Sequence, residues 1–339
     1  MSNILSISAM QKFHFGSKIL CSDGEDGFLA QVVFDAATRK MTHLGVRQRR
    51  LFGHTVFVSL ESVVSATGEG IKIRARRADL ATIGGVEVTA TDTVLDEKTM
   101  VENIENAGSA ASKGRLMLIA LHPESWELSY LVVHELRPGQ DTLLQGKYVT
   151  EISAGQIKVH VEDAVLHDLP PFRPDSVLQR EVETAFFRQI PLHIDLKGIT
   201  ARVLDGVLYL DGNISSSLRG DLAERQAMGV RGILEIKNRL VGDDRLASDL
   251  AMALGRDSRT RDLPIGVYPR LGVVRLSGAV HNGQQKAAAE EIARNFDGVR
   301  SVFNDLIVDP KADLLHIMSS SEGGESEDIV PGKYVRHTT

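Results

Sequence analysis

The spacing of hydrophobic and polar positions changes character near residue 175 of this 339-residue chain. Before that point, short apolar runs such as residues 28–34 and 41–46 are separated by turns rich in Gly and Asp, which predicts short strands of a small barrel or sandwich. After it, apolar residues recur three and four positions apart in segments that alternate with strand-like runs. The chain is therefore predicted to be a multidomain α+β protein.

The C-terminal half contains a duplicated folding unit. Without any gap, a shift of 66 positions places residues 206–212 on 272–278, Gly232 on Gly298, and residues 238–241 on 304–307. An offset that stays constant through strand, helix and strand signals indicates two copies of one unit.

Each copy predicts the order helix, strand, strand, helix, strand. In the first copy, Asp175 or Ser176 caps a helix, and an Asp205-Gly206 turn joins the two strands of a hairpin. In the second copy, Asp243 or Asp244 begins the corresponding helix. Two helices are expected to pack on one face of a three-stranded mixed sheet, with the hairpin turns exposed at its ends.

A weaker repeat relates two parts of the N-terminal half. A shift of 87 positions places Gly27 on Gly114 and residues 29–34 on 116–121. The copies differ at the front, where a long segment, residues 91–113, replaces a compact turn and predicts a loop or a short helix. Two small β-barrels are therefore expected in this half.

The first of these copies resembles a PRC-barrel. The resemblance lies in Gly16-Ser17-Lys18-Ile19, Asp23-Gly24-Glu25-Asp26-Gly27, His43-Leu44-Gly45-Val46 and Val58-Ser59-Leu60. It covers residues 13–78 well and residues 83–165 loosely. The PRC-barrel is the small β-barrel shared by the photosynthetic reaction-centre H subunit and the ribosome maturation factor of bacteria. The resemblance implies docking onto protein or ribonucleoprotein assemblies.

Both C-terminal copies resemble BON domains, whose signature is a glycine-flanked hairpin, a helix and a final strand. The hairpin signature reads DGVLYLDG at residues 205–212 and LGVVRLSG at residues 271–278. The glycines of the motif are Gly206, Gly212, Gly232, Gly272, Gly278 and Gly298. The resemblance covers residues 176–309 and implies binding at membranes or phospholipids, often in bacterial envelope-stress proteins.

These patterns divide the chain into six predicted segments. They are a first PRC-type barrel at 13–80, a divergent second one at 83–168, a proline-rich linker at 169–174, BON domains at 175–242 and 243–309, and a flexible acidic tail rich in Ser and Gly at 310–339.

Composition excludes several functional classes. The single cysteine, Cys21, excludes a disulfide framework and multi-cysteine metal sites. Aromatic residues make up only 5%, which argues against stacking platforms for single-stranded nucleic acid, and the net charge of −6 gives no overall attraction to anionic partners. The sequence shows neither a secretory leader nor an apolar run of membrane-spanning length, so a cytoplasmic protein, at most peripheral to the inner membrane, is expected.

No residue pattern predicts catalysis. The repeated glycines flank strands instead of opening a helix, which fits hairpin geometry better than a phosphate cradle. The 11 histidines show no metal-ligand spacing, and the GxSxG motif of serine hydrolases is absent. We therefore expect no enzyme, no cofactor and no metal.

Basic residues are concentrated in the first 80 positions, which hold 11 Lys and Arg against 7 Asp and Glu. Two runs supply the candidate contacts for an anionic ligand, namely Arg47, Arg49, Arg50, Arg74, Arg76 and Arg77. If the runs converge, they would attract the phosphates of lipid or RNA. The alternative, which the pattern favours, is two solvated loop ends balanced by the acidic tail.

The predicted function is that of a non-enzymatic binding or scaffold protein. The BON resemblance favours association with phospholipid surfaces. Two alternatives stay open: a protein-interaction or self-assembly module that uses sheet edges and hairpins, and an RNA- or ribosome-associated factor acting through the first barrel. Nucleic acid is the less favoured partner, and the second reading allows a homo-oligomer.

Overall fold

The computed structural model describes residues 6–35, 38, 40–48, 54–83, 92–106 and 113–311. Contacts between Cα atoms divide the chain into two units. The first unit comprises Met1–Ile190, Thr200–Leu210 and Ala223–Asn238, and the second comprises Pro191–Ile199, Asp211–Leu222 and Arg239–Thr339.

The N-terminal half is built mainly from strands. Its elements are β1 (Gln11–His14), β2 (Lys18–Cys21), β3 (Gly24–Asp35), β4 (Met41–Arg47), β5 (Thr55–Ser59), β6 (Val63–Thr67), β7 (Gly70–Ile73), α1 (Arg77–Ile83), β8 (Asp92–Asp96), β9 (Met100–Asn103), β10 (Lys113–Leu121), β11 (Leu128–Arg137), β12 (Gln140–Gln145), β13 (Val149–Ser153), β14 (Gln156–Val159), α2 (Asp163–Asp168) and β15 (Pro171–Phe172).

The weak repeat in the sequence is a repeat of topology. One sheet has the strand order β5-β4-β3-β2-β7-β6, and the other has the order β12-β11-β10-β9-β14-β13, with β15 beside β12. In the first sheet β2 pairs parallel with β7, and in the second β9 pairs parallel with β14. Corresponding strands therefore occupy corresponding places in the two sheets.

Each sheet also receives one strand from the other copy. β1 precedes the first sheet along the chain but pairs with β10 of the second, and β8 precedes the second sheet but pairs with β3 of the first. His14 lies opposite Leu118, and Asp96 lies opposite Gln31. The shift of 87 relates Gln31 to Leu118, so His14 and Asp96 lie opposite equivalent positions of the two copies.

The exchange joins both sheets in one hydrophobic core. Phe13 of β1 and Leu95 of β8 are fully buried, in a cluster that includes Leu44 of the first sheet and Leu131 of the second. The expected two barrels are therefore not confirmed. Among the described residues, the strand order of neither sheet returns to its first strand, and the sheets share their core.

The segment at residues 91–113 also differs from its predicted loop or short helix. Its described part contains β8, β9 and a short 3-10 helix at Ile104–Asn106. A five-residue strand such as β8 carries little pattern of its own, and pairing with β3 decides its conformation.

The C-terminal half contains two repeats of the predicted order. The first repeat comprises α3 (Asp175–Arg188), β16 (Ile199–Leu204), β17 (Val207–Ile214), α4 (Ser217–Met228) and β18 (Glu235–Gly242). The second repeat comprises α5 (Asp243–Arg256), β19 (Ile265–Arg270), β20 (Val273–Val280), α6 (Gly283–Arg294), β21 (Ser301–Asn304) and β22 (Ile307–Val308).

Each repeat forms a sheet centred on its second strand. The first sheet has the order β16-β17-β18, and in the second β19 lies antiparallel to β20 while β21 and β22 lie parallel to it. Helices α5 and α6 pack on one face, since Leu250 and Ala289 are buried against Leu276 of β20. The predicted mixed sheet with helices on one face is confirmed in this repeat, but it has four strands, β19 to β22, instead of the three expected.

The hairpin turns are held by an acidic residue of the first helix. Asp205 and Gly206 have φ values of 53° and 75°, the left-handed pair typical of a type I′ turn. Their N–H groups donate to the two oxygens of Asp175 at 2.8 and 2.9 Å. Asp243 accepts from the equivalent turn of the second repeat at 2.7 and 3.2 Å. Asp175 and Asp243 therefore fix the turns instead of capping their own helices.

Leu44→Ala is expected to lower the free energy of unfolding by about 2–5 kcal/mol, because it removes a fully buried side chain from the shared core. Trp126, the only tryptophan, packs against the same core from the segment between β10 and β11. Its fluorescence during chemical denaturation should therefore show the loss, although Leu44 belongs to the other sheet. Val64→Ala, at a 55% exposed position of that sheet, is the control. A Trp126 transition unmoved by Leu44→Ala would contradict the shared core.

Candidate interaction surface

One face of the second repeat's sheet is exposed and carries aromatic side chains. Tyr268 on β19 lies opposite Arg275 on β20, which in turn lies opposite Phe303 on β21. Tyr268 is 60% exposed and Phe303 is 56% exposed. Ile307 on β22, also exposed, lies opposite Ala279, four residues further along β20 than Arg275. We call these four residues the outer face of the second repeat.

The guanidinium of Arg275 on this face lies 3.3 Å from the carboxylate of Asp305. Its charge is therefore partly compensated within the repeat. The outer face is mixed in character, with two aromatic rings and an aliphatic side chain around an ion pair.

The equivalent face of the first repeat is in contact with the rest of its own unit. The shift of 66 relates Tyr268, Arg275 and Phe303 to Arg202, Tyr209 and Lys237. Arg202 pairs with Glu69 at 2.6 Å, and Lys237 donates to the hydroxyl of Ser6 at 3.4 Å. The same strand position of the fold thus serves as a protein contact in one repeat and is exposed in the other.

Apolar packing reinforces this contact. The second N-terminal sheet carries a further buried cluster, formed by Leu118, Ala120, Tyr130, Val132 and Leu143. Leu234, from the segment before β18, packs against it together with Ile7, Met10 and Phe172. Next to Leu234, Glu235 accepts from the backbone N–H of Ser8 at 2.7 Å. The chain near its N-terminus and the first repeat therefore cover this side of the sheet.

A buried carboxylate completes the contact. Asp205, in the hairpin turn, is only 1% exposed. It accepts from His14 Nε2 at 2.7 Å and from the N–H of Gly68 at 2.8 Å, and Lys12 Nζ lies 3.8 Å away. The side chains of Lys12 and His14, both on β1, and the N–H of Gly68 thus surround the carboxylate of Asp205. We call these four residues the Asp205 cluster.

The electrostatics of the Asp205 cluster follow from its burial. Burial alone would raise the pKa of Asp205, but the hydrogen bond and charge of His14, the N–H of Gly68 and the charge of Lys12 hold that pKa below its usual 3.8. For Lys12 burial has the opposite sign: it lowers the pKa of the ammonium group, and the charge of Asp205 opposes that shift. The carboxylate of Asp205 is therefore ionised at neutral pH.

The exposed turns expected from the sequence are not observed. Asp205 is buried, and a Cβ on Gly272 in the other turn would lie 2.4 Å from Asn213 Oδ1. The Asp-Gly signal identifies the turn but not what surrounds it. One comparison could have marked Asp205: the second repeat has Leu271 at the same position, so turn geometry does not require the carboxylate.

Comparison with known proteins decides the family. The sequence profile of the BON domain matches residues 174–241 and 242–310. Osmotically-inducible protein Y of Escherichia coli (strain K12) is 30% identical over 172 residues, which cover 46% of this chain and 82% of that protein. The chain belongs to the BON-domain family. Its PRC-type N-terminal half remains a prediction.

Two solved structures of CdsD, a structural protein of the type III secretion system of Chlamydia trachomatis, show a distant likeness to this BON-domain protein. The first, the C-terminal domain, is 16% identical, covers 40% of this chain and 67% of that chain, and has a TM-score of 0.34. The second is 14% identical, covers 43% and 66%, and has a TM-score of 0.32. At these TM-scores the likeness supports no conclusion about fold or function.

The arginines predicted as anion contacts lie outside both BON domains. Arg47 ends β4, Arg74 and Arg76 follow β7, and Arg77 begins α1, whereas Arg49 and Arg50 lie outside the described residues.

The side chain of Arg77 and the backbone of Arg47 lie beside the first residues of β3. A Cβ on Gly27 would lie 2.4 Å from the carbonyl oxygen of Arg47, and a Cβ on Gly24 would lie 3.7 Å from the guanidinium of Arg77. Acidic residues lie in the same place: Asp23, just before β3, accepts from the N–H of Arg77 at 2.9 Å, and Asp26 of β3 accepts from Gln48 at 3.4 Å. Positive and negative charges are therefore interleaved here, and a phosphate-binding role for these arginines stays a prediction.

In the described part of the chain, no group of three or more His, Cys, Asp or Glu residues is placed to hold a metal ion. Within the same residues, no helix has the length and apolar character needed to span a membrane.

Asp205→Asn is expected to lower the free energy of unfolding at neutral pH by about 3 kcal/mol, because it leaves the buried Lys12 without its counter-charge. Since the folded protein holds the Asp205 pKa below that of the unfolded chain, the stability it adds is complete well above pH 4 and is lost as the pH falls through the folded pKa. The difference between variant and wild type should therefore shrink as the pH approaches 3. Denaturant titrations across this range measure it.

Asp262→Asn is the matched control. Asp262 also has a positive φ, 63°, but its side chain is 92% exposed, so a change within about 0.5 kcal/mol is expected. Equal losses in both variants, or a loss in Asp205→Asn that does not depend on pH, would contradict the role of the Asp205 cluster.

Proposed function

We propose that this protein is a non-enzymatic scaffold whose second BON domain binds a partner protein through its outer face. The observation that supports this is the contrast between the two repeats. In the first BON domain the equivalent face makes polar contacts with protein, through Arg202 and Lys237. In the second, Tyr268 and Phe303 are exposed at the same positions. Aromatic side chains are also enriched at the centres of protein–protein interfaces.

The charge balance of the BON domains favours a protein over an anionic lipid surface. The matched residues 174–241 hold 9 Lys and Arg against 9 Asp and Glu, and residues 242–310 hold 9 against 10. A domain that binds anionic lipid gains about 1 kcal/mol for each Lys or Arg near the membrane surface, which favours domains with an excess of positive charge. Neither domain has one, and Arg275 on the outer face is paired with Asp305.

The name of the similar Escherichia coli protein, osmotically-inducible protein Y, suggests the conditions under which the partner is bound. We propose that the scaffold likewise acts under osmotic stress. The cellular amount of the protein, followed by quantitative immunoblotting, should then rise after an increase in external osmolarity.

Site-specific photocrosslinking tests the outer face directly. A photoreactive phenylalanine analogue in place of Phe303, in cells that make the protein, is expected to give discrete protein adducts. The same analogue in place of Met252, a 47% exposed residue of α5 in the same domain, serves as the control and should give none of them. Adducts that disappear when Tyr268→Ser is added would identify the face as the contact. Identical adduct patterns at both positions, or none, would contradict the proposal.

Vesicle co-sedimentation tests the alternative that the outer face binds lipid. Purified protein mixed with vesicles containing anionic phospholipid at low salt is expected to remain in the supernatant. Pelleting that the double change Tyr268→Ser and Phe303→Ser abolishes would assign the outer face to lipid instead of protein. Because both side chains are exposed, the double variant should keep the stability of the wild type within about 1 kcal/mol.

A further inference from the structure

A pocket of about 480 Å³ lies in the first unit. It is lined by the hairpin of β11 and β12, the proline-rich segment around β15, and the turn before β18. Its ionisable side chains are His134, Asp141, Arg173 and Arg231, and Phe172 contributes an aromatic ring to its wall.

Three of these ionisable side chains already have partners. His134 Nδ1 lies 2.6 Å from Asp141 Oδ1, which fixes the orientation of the imidazole. Arg173 donates to both carboxylate oxygens of Glu181, at 2.8 and 2.5 Å, and this pairing raises the pKa of Arg173. Arg173 also donates to the backbone carbonyl of Arg231 at 2.7 Å. These contacts hold the walls of the pocket and the main chain at Arg231.

Arg231 itself supplies an uncompensated charge. Its guanidinium is exposed, and no carboxylate of the described residues lies within ion-pair distance of it. Its main chain is anchored by Arg173, so the side chain extends from a fixed point on the rim of the pocket.

A second cation near Arg231 also lacks a carboxylate partner among the described residues. Arg137 is only 7% exposed, and its Nε donates to Thr142 while Nη1 donates to the carbonyl of His167. Its Nη2 is buried, with no hydrogen-bond partner in the described part of the structure. Burial lowers the pKa of Arg137, and the positive charge of Arg231 lowers it further. Neither arginine has a carboxylate partner among the described residues, and an anion at Arg231, on the rim of the pocket, would supply a counter-charge there.

We propose that this pocket binds a small organic oxyanion, a carboxylate or phosphate monoester with an aromatic or aliphatic group. Arg231 pairs with the oxyanion, because a guanidinium matches two oxygens of a carboxylate or phosphate at once. Phe172 and its neighbouring prolines contact the apolar group. His134, whose imidazole is oriented by Asp141, also lines the pocket and offers a polar contact to the ligand.

The second BON domain does not repeat this feature. The shift of 66 relates Arg231 to Asp297, so the second repeat carries the opposite charge at that position. The pocket therefore belongs to the contact of the first repeat with the second N-terminal sheet and is not a property of the BON fold itself.

Titration with small probes tests the proposal on the full chain. Benzoate and phenyl phosphate, added at constant ionic strength, are each compared with the neutral isostere benzamide by isothermal calorimetry and by the shift of the thermal midpoint. At least one of the two anions is expected to bind saturably in the millimolar range or below, and benzamide is not. Which anion binds more tightly distinguishes a carboxylate ligand from a phosphate ester.

Two variants assign the binding to the pocket. Arg231→Gln is expected to weaken the anion about tenfold or more, since it removes the charged partner. Arg225→Gln, at an exposed arginine of α4 outside the pocket, should bind as the wild type does. The proposal is overturned if neither anion binds saturably, if benzamide binds equally well, or if Arg231→Gln binds like Arg225→Gln.

Discussion

Strand β1 carries the constraint on which the first unit depends. Its side chains alternate, so that Phe13 enters the shared core while Lys12 and His14 reach Asp205 on the opposite side. A slip of one residue against β10 would exchange these faces and place a lysine and a histidine in the hydrophobic core. One backbone register therefore sets both the packing of the N-terminal sheets and the attachment of the first BON hairpin.

The two BON domains show how a duplicated unit diverges without a change of fold. Both keep the acidic residue that holds the hairpin turn, Asp175 in one and Asp243 in the other. They differ at positions that the fold leaves free: Asp205 against Leu271, and Arg231 against Asp297. In the first copy Asp205 contacts β1 and Gly68, and Arg231 lies on the rim of the pocket. In the second copy the sheet face is exposed. The proposals for partner binding and for the anion pocket both rest on such differences.

The sequence predicted the parts of the structure that local pattern determines. The shift of 66 and the Asp205-Gly206 signal identified both BON repeats and their element order, because periodicity and turn chemistry are local. The strand exchange could not be predicted, since β1 and β8 show the same pattern whichever sheet they join. The burial of the second N-terminal sheet against the first repeat does have a signal in the sequence. Residues 116–121 are all apolar, as in a strand that is buried on both faces. The predicted arginine runs illustrate the limit, because their surroundings include Asp23 and Asp26, which only the fold brings close.

The strand exchange also has a consequence for protein synthesis. β1 is made about 100 residues before its partner β10, which at about 5–20 residues per second corresponds to a delay of about 5–20 s on the ribosome. During that time Phe13 has no core to enter, and the first sheet lacks β8 until residue 96 has been made. The N-terminal half therefore cannot assemble in the order of its translation. The nascent first copy therefore exposes apolar side chains of the shared core until the second copy has been made.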